Sequence, residues 1–148
     1  MDWQQILPVW QHKLWPHRQS AIEPQSAMTW PHTGMPDPID MKIFEYQPVF
    51  WGAYRSLKLV AVNSGHRTSD TQYRSRGLWV DPDYRCQGIA QQLFEHCQQQ
   101  AISENCEMLW SIPRRTALRA YEKFGFQTSG VWHHTETSDA NIYVNKII

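Results

Sequence analysis

Apolar residues open the chain at helical spacing. Trp3, Ile6, Leu7, Trp10 and Leu14 follow a 3.6-residue repeat, and Asp2 stands where an N-cap belongs. Pro8 falls inside that repeat, so the helix either kinks there or properly begins there, and Pro16 ends it. Residues 16–40 carry Pro16, Pro24, Pro31, Gly34, Pro36 and Pro38, with room for one short helix at 22–28. A segment so long and irregular is more than a connector. Met28, Trp30, His32 and Met35 give it an apolar, aromatic character that solvated loops seldom have, and it reads as a candidate wall of a substrate site.

The repeat then drops to two. Residues 41–46 form a weak strand and 49–55 (VFWGAYR) a stronger one. Ser56 and Leu57 offer a tight turn into 58–63 (KLVAVN), a strand with room to run on to His66. After a polar turn, 73–80 (YRSRGLWV) reads as the next strand, closed by Asp81, Pro82 and Asp83. Helical spacing returns at 89–103, where Ile89, Leu93, Phe94, Cys97, Ala101 and Ile102 make one stripe beneath a Gln-rich outer face. Residues 108–112 (MLWSI) are a continuous apolar run, as in a strand buried on both faces. A helix at 113–124, with Ala117, Leu118, Tyr121 and Phe124 along one side, stops at Gly125, and 126–132 and 141–148 close the chain as strands. A meander followed by helices alternating with strands means one mixed α/β domain over 1–148.

Composition removes several function classes. The 148 residues carry 14 Lys+Arg against 14 Asp+Glu, so the basic footprint of an obligate nucleic-acid binder is missing, as is a polybasic membrane-binding segment. Mean hydropathy of -0.60 describes a soluble chain, and no run approaches the roughly 20 apolar residues of a membrane span. The start lacks the regions of a secretory signal, which points to the cytoplasm. Cys86, Cys97 and Cys106 show no paired ligand spacing, and the pair His133 and His134 diverges on a strand, so no metal site is expected. The 8 tryptophans either anchor a thin core or wall a pocket.

The chemistry concentrates between Gly77 and Ala90. A strand ends at Val80, and a turn presents Arg85 and Gly88 just before a long helix. First-turn amides at such a junction have no intrahelical partners and lie at the positive end of the helix dipole, where a pyrophosphate fits. Gly88 offers close approach, and Arg85 adds a fork-shaped cation suited to phosphate oxygens. An ordinary strand-turn-helix would satisfy the same pattern. The edge of Leu78, Trp79 and Val80 runs straight into this loop and is available to a ligand with amide groups. Tyr121 stands about thirty residues on, on a helix that ends in glycine and feeds a strand; a core tyrosine explains it equally well when taken alone.

The combination V-D-P-x-x-R-x-x-G-I-A followed by A-x-x-x-Y-E-K-x-G-F closely resembles the GNAT superfamily of N-acetyltransferases. The resemblance is specific over 77–126, strand content extends it to 43–148, and no motif carries it into residues 1–40. It implies a GNAT-like acyl-CoA N-acyltransferase fold: a twisted, mostly antiparallel sheet flanked by helices and split between two central strands. It implies that Arg85, Cys86, Gln87, Gly88, Ile89 and Ala90, with Gln91 at the helix start, wrap the pyrophosphate of acetyl-CoA. Leu78, Trp79 and Val80 would pair with the pantetheine amides, and an amide at Leu78 or Trp79 would polarise the thioester carbonyl. Tyr121 would protonate the departing thiolate, whose thiol has a pKa of about 8.5. The reaction implied is direct attack by a primary amine on acetyl-CoA, without a metal and without an acyl-cysteine at Cys86.

The sequence departs from the family's pattern in places. Arg114 stands where an asparagine is frequent, and Tyr73, Arg74, Ser75 and Arg76 occupy a strand on which many relatives carry a glutamate. His66 could take the amine proton through water, although an exposed surface histidine is the simpler expectation. Residues 41–46 are the expected replacement for the family's first strand. The acceptor is expected to be a small-molecule or peptide amine lying between the Pro-rich segment and the strands near His66. No nucleic acid or membrane is expected to take part, and a homodimer stays open. The rival reading is a catalytically silent acyl-CoA-binding sensor or protein-interaction module, favoured by the missing strand carboxylate and by Arg114.

Overall fold

The computed structural model describes residues 1–30, 40–135 and 138–148. Its centre is a six-stranded sheet in the order β1-β2-β3-β4-β6-β5. The strands are β1 (Val49–Arg55), β2 (Lys58–Arg67), β3 (Gln72–Val80), β4 (Met108–Ser111), β5 (Gln127–Thr135) and β6 (Ser138–Ile147). Every neighbouring pair is antiparallel except β3 and β4, which run parallel because α2 (Ile89–Ser103) carries the chain between them. The remaining helices are α1 (Trp3–Val9) and α3 (Leu118–Phe124).

One face of the sheet is covered by α2 and α3. Ile89, Leu93, Phe94, Cys97 and Ala101 recur at helical spacing and are all buried. Phe94 sits 4.6 Å from the Tyr121 ring and 5.6 Å from Phe126, so one aromatic cluster pins both helices to β5 and β6. Burying a side chain of this size contributes roughly 1.5–3 kcal/mol.

The opposite face is covered by the chain's first thirty residues. Asp2 and Gln5 form a reciprocal cap, with the Gln5 amide donating to Asp2 Oδ1 at 2.9 Å and the Asp2 amide donating to Gln5 Oε1 at 2.8 Å. Pro8 lies inside α1, and the chain passes directly into a π-turn (Trp10–Leu14) closed by the Trp15 amide on the Trp10 carbonyl at 2.7 Å. Trp10 and Ile6 are fully buried against Val62, with Trp3, Phe50 and Trp79 around them. Further along, Trp30 packs 6.2 Å from Trp110 and 5.7 Å from Tyr143. The tryptophans of the N-terminal third therefore build a second core layer, and they bring Leu14, Trp15 and Met28 to one wall of a cleft.

Three expectations are corrected. Residues 41–46 are a 3-10 turn (Met41–Glu45) rather than a strand: the Asp40 side chain accepts from the Lys42 amide, and only Ile43 turns inward. The Gln25 side chain holds that turn by donating to the carbonyls of Ile43 and Tyr46 at 2.7 and 2.8 Å. No helix forms at 22–28, where Pro24 lacks the amide that a helix interior needs. The segment expected as one helix from 113 starts with a 3-10 turn (Arg115–Ala117) before α3. Pro31, His32, Gly34, Met35, Pro36 and Pro38 lie outside the described residues.

Candidate active site

The site forms where β3 leaves β4. Their parallel register covers Gln72↔Met108, Tyr73↔Leu109 and Arg74↔Trp110 and then stops. A strand that loses its neighbour leaves carbonyls without ladder partners. Here the Ser111 hydroxyl donates to the Ser75 carbonyl at 2.6 Å, which closes the fork of the split with a side chain. On its other edge β3 is bulged, since the register against β2 shifts between Val62 and Ser64. Gly77 sits in the bulge with φ +77. The Trp10 indole lies so close that an added Cβ would come within 2.3 Å of the ring, and the indole Nε1–H donates to the Gly77 carbonyl at 2.9 Å. A residue sixty-seven positions away thus fixes the bend that turns Leu78 and its backbone into the split.

Tyr121 lines the same opening as Leu78 and Ser111. Its side chain is buried, and its hydroxyl lies 3.4 Å from Ser111 Oγ. Burial pushes the phenol above its ordinary pKa, against the opposing pull of the Ser111 and Ser75 hydroxyls. The group is therefore a protonated donor throughout the neutral range. Cys97 lies in the same core cluster, but burial raises its thiol to about 12, so it is protonated and unsuited to act as a nucleophile.

The loop after β3 is exposed from Arg85 to Gly88. Gly88 has φ +80, and an added Cβ there would meet nothing within 4 Å, so its surroundings are open to a bulky group. It starts α2 without a side-chain cap, which leaves the first-turn amides facing outward. Arg85 Nε donates to the Val80 carbonyl at 3.2 Å, so its guanidinium is folded over the end of β3. Ile89 is a buried core anchor, and the Gln91 side chain donates to the Ala120 carbonyl at 3.0 Å. Among these expected ligands, Ile89 and Gln91 have their side chains committed to packing, which leaves their amides for an anion. Trp79 packs toward the N-terminal layer, while Leu78 and Val80 pack toward α2.

The opening continues across the sheet into a cavity of about 250 Å³. Arg74 and Arg76, two places apart on β3, are both buried and both line it. Arg74 stacks 5.0 Å from Trp110, and Arg76 lies between Trp10 and Trp15 at 4.9 and 5.3 Å. Arg76 Nη1 also donates to the Glu23 carbonyl at 2.7 Å. Arg114, on the far rim, donates to the Leu14 carbonyl and so ties the π-turn to the mouth of α3.

His66 is not the surface histidine expected. It is fully buried because β2 is flanked by β1 and β3, and it is paired across the sheet with Arg74. Desolvation first, then the Arg74 and Arg76 charges, hold it well below its ordinary pKa and therefore neutral. It does not line the cavity, and its Nδ1 is 3.2 Å from the Arg67 carbonyl. Sequence reasoning did not foresee Ser111, the Trp10 contact with Gly77, or the convergence of Asn141 and His133 on the cavity. The serine at the end of a short apolar strand was the one available signal.

A split sheet, a bulged strand at the split and an uncapped helix following it define an acyl-CoA N-acyltransferase architecture. The pattern of the acetyltransferase (GNAT) family matches residues 10–126, and the chain belongs to that family. No curated protein sequence matches it. Among solved structures, an acetyltransferase from Bacillus cereus is similar at 18% identity and a TM-score of 0.61, covering 74% of this chain and 80% of that one. An aminoglycoside 6'-N-acetyltransferase complexed with coenzyme A is similar at 15% identity and a TM-score of 0.60, covering 72% and 76%. PaiA N-acetyltransferase from Thermoplasma acidophilum, also in complex with coenzyme A, is similar at 14% identity and a TM-score of 0.58, covering 68% and 61%. These likenesses establish the fold, a mixed sheet flanked by helices. Among the described residues no helix is long and apolar enough to cross a membrane.

Proposed function

We propose that this chain moves an acetyl group from acetyl-CoA to a primary amine by direct attack of the amine on the thioester. The observation that carries the reading is the meeting of Leu78 and Tyr121 in one opening at the split between β3 and β4. The fit of the co-substrate rests on the open cradle at Gly88 and the uncapped start of α2. Coenzyme A in two structural neighbours supports the same reading.

Acetyl-CoA supplies an activated thioester, and the chain's residues do the rest. The amides of Ile89, Ala90 and Gln91, with Arg85, hold the pyrophosphate. The edge of Leu78, Trp79 and Val80 orients the pantetheine arm, and an amide at the bulge donates to the thioester oxygen as negative charge develops there. Tyr121 donates its proton to the leaving sulfur. Its raised pKa keeps that proton in place until the sulfur carries charge.

The amine must arrive unprotonated, although an alkylammonium has a pKa of about 10. The described lining of the cavity holds no carboxylate to serve as base. Arg76 and Arg114 in that lining favour the neutral amine by like-charge repulsion, which lowers the ammonium pKa. Replacing Tyr121→Phe should lower kcat by about 100-fold or more, in the range expected for a lost general acid, with acetyl-CoA affinity retained. A full-rate variant with an unchanged pH profile would remove Tyr121 from the mechanism.

A further inference from the structure

The Ser111 hydroxyl stands between two partners. β3 and β4 hold register as far as Arg74 and Trp110, so Ser75 and Ser111 are the first residues past the ladder. Ser111 Oγ lies 2.6 Å from the Ser75 carbonyl and 3.4 Å from the Tyr121 hydroxyl. Ser75, Ser111 and Tyr121 are all buried, and Ser111 and Tyr121 line the opening together with Leu78.

Counting protons decides which way each group points. Asn63 on β2 and Ser75 on β3 bond reciprocally: the Asn63 amide donates to Ser75 Oγ at 3.0 Å, and that hydroxyl donates to Asn63 Oδ1 at 3.2 Å. The one Ser75 proton is committed to that pair, which braces the strand carrying the carbonyl. Ser111 also has one hydroxyl proton, and it goes to the shorter contact, the Ser75 carbonyl. Lone pairs of Ser111 therefore face Tyr121. The phenol proton is held only across 3.4 Å, a weak bond that releases it readily into the opening. Closing the fork accounts for the 2.6 Å bond, but it does not require the same oxygen to stand beside the phenol.

Resting on the acetyltransferase reading with Tyr121 as its acid, we propose that Ser111 is a positioning residue whose hydroxyl turns from the Ser75 carbonyl to the phenolate as Tyr121 gives up its proton. The amine nitrogen bonds to the acetyl carbon, the C–S electron pair goes to sulfur, and sulfur takes the phenol proton. Ser111 keeps its own proton and only rotates about Cβ–Oγ. The new amide nitrogen sheds a proton to solvent, and the phenolate regains one from solvent as the products leave. A hydrogen bond to an ionised oxygen is roughly twice as strong as a neutral one. This one forms only as charge develops, so it lowers the barrier without tightening substrate binding. Burial raises the phenol's pKa and the Ser111 and Ser75 hydroxyls oppose that rise, in keeping with this geometry.

The test is a double-mutant cycle on the whole chain. Thiol release from acetyl-CoA is followed with benzylamine, β-alanine, spermidine and trialanine, and the fastest acceptor is kept. The unaltered chain, Ser111→Ala, Tyr121→Phe and the double variant are compared, with Ser111→Thr as the rescue. Acetyl-CoA affinity is measured on each by calorimetry.

Ser111→Ala should lower kcat about 10- to 100-fold, as loss of a hydrogen bond to a charged group implies. The KM for the amine and the acetyl-CoA affinity should stay close to those of the parent chain. Ser111→Thr, which keeps the hydroxyl, should recover most of the rate. In the Tyr121→Phe background Ser111→Ala should change kcat by less than about twofold, because no phenolate forms there. If Ser111→Ala fails to fold, Ser111→Cys keeps a side chain of similar shape with a weaker donor and carries the same cycle with a smaller loss.

An equal loss in both backgrounds would show that Ser111 only closes the fork, and it overturns the proposal while the acetyltransferase reading stands. A full-rate Ser111→Ala or a full-rate Tyr121→Phe does the same. No thiol release with any of the four amines overturns the acetyltransferase reading, and this role for Ser111 falls with it.

Discussion

The two halves of the cleft are built in opposite ways. The half proposed to hold the donor comes from one continuous stretch, the end of β3, the exposed loop and the start of α2, with Tyr121 added from α3. Its geometry is local: a bulge, a turn and a helix start, each specified by the residues that form it. The other half, the acceptor side in the proposed function, is lined by Leu14, Trp15, Met28, Arg74, Arg76 and Arg114, which meet only because an N-terminal layer wraps the sheet. In the proposed function, one half holds the co-substrate with backbone amides and Arg85, and the other receives the amine among side chains. A fold of this kind can change its acceptor without disturbing its donor site, because the two share little beyond Gly77, Leu78 and the split.

Breaking the shared hinge should have the largest effect. Gly77→Ala places a Cβ within 2.3 Å of the Trp10 ring at a residue with φ +77. Left-handed strain and overpacking together should cost on the order of 3 kcal/mol. Thermal unfolding should show the midpoint falling by roughly 6–12 °C at 2–4 °C per kcal/mol. Both halves should weaken together, with acetyl-CoA affinity and turnover each reduced.

Ser111→Ala acts on the fork of the split and on the contact with the Tyr121 hydroxyl. It leaves the Ser75 carbonyl without its 2.6 Å donor and should cost about 1–3 kcal/mol in denaturant unfolding. A stability close to that of the parent chain would mean that water replaces the hydroxyl and that the fork closes without it.

The smallest expected effect sharpens the acceptor side. The phenol of Tyr121 is raised, so it stays protonated at neutral pH and ionises only above its ordinary range. The rate should therefore rise with pH as the amine loses its proton, and it should not fall again before about pH 10. Nearby arginines disfavour the ammonium, so Arg114→Gln should move the rising limb to higher pH by up to about one unit. A shift to lower pH would mean that the cations do not act on the amine.

How far the sequence reads follows from this division. The α2 stripe is legible because Ile89, Leu93, Phe94, Cys97 and Ala101 carry the helical period in their own order, and the helix spans Ile89–Ser103 as that spacing predicts. The positions of Gly88 at the start of α2 and of Tyr121 on α3 are legible from the strand-turn-helix order and the Gly125 stop. Residues 41–46 misread because alternation in M-K-I-F-E-Y imitates a strand, while the Asp40 cap and the Gln25 bridge decide for a turn. His66 misreads because its burial depends on β2 having neighbours on both sides, which no local pattern records. The arginine-lined cavity is legible only as an odd absence of a glutamate on β3. That Arg74, Arg76 and Arg114 converge there becomes visible once the N-terminal layer is placed against the strand.

The most direct test of the divided cleft is the melting temperature with and without acetyl-CoA at about 100 times its dissociation constant, for three chains. In the unaltered chain, selective binding at that excess should add about 2.7 kcal/mol and raise the midpoint by several degrees. Arg114→Gln should show the same rise, and Gly88→Val, which fills the open cradle and strains a residue at φ +80, should lose it. A folded parent chain whose midpoint does not move with acetyl-CoA would contradict the account at its root. A rise lost in Arg114→Gln would show that the two halves are one site.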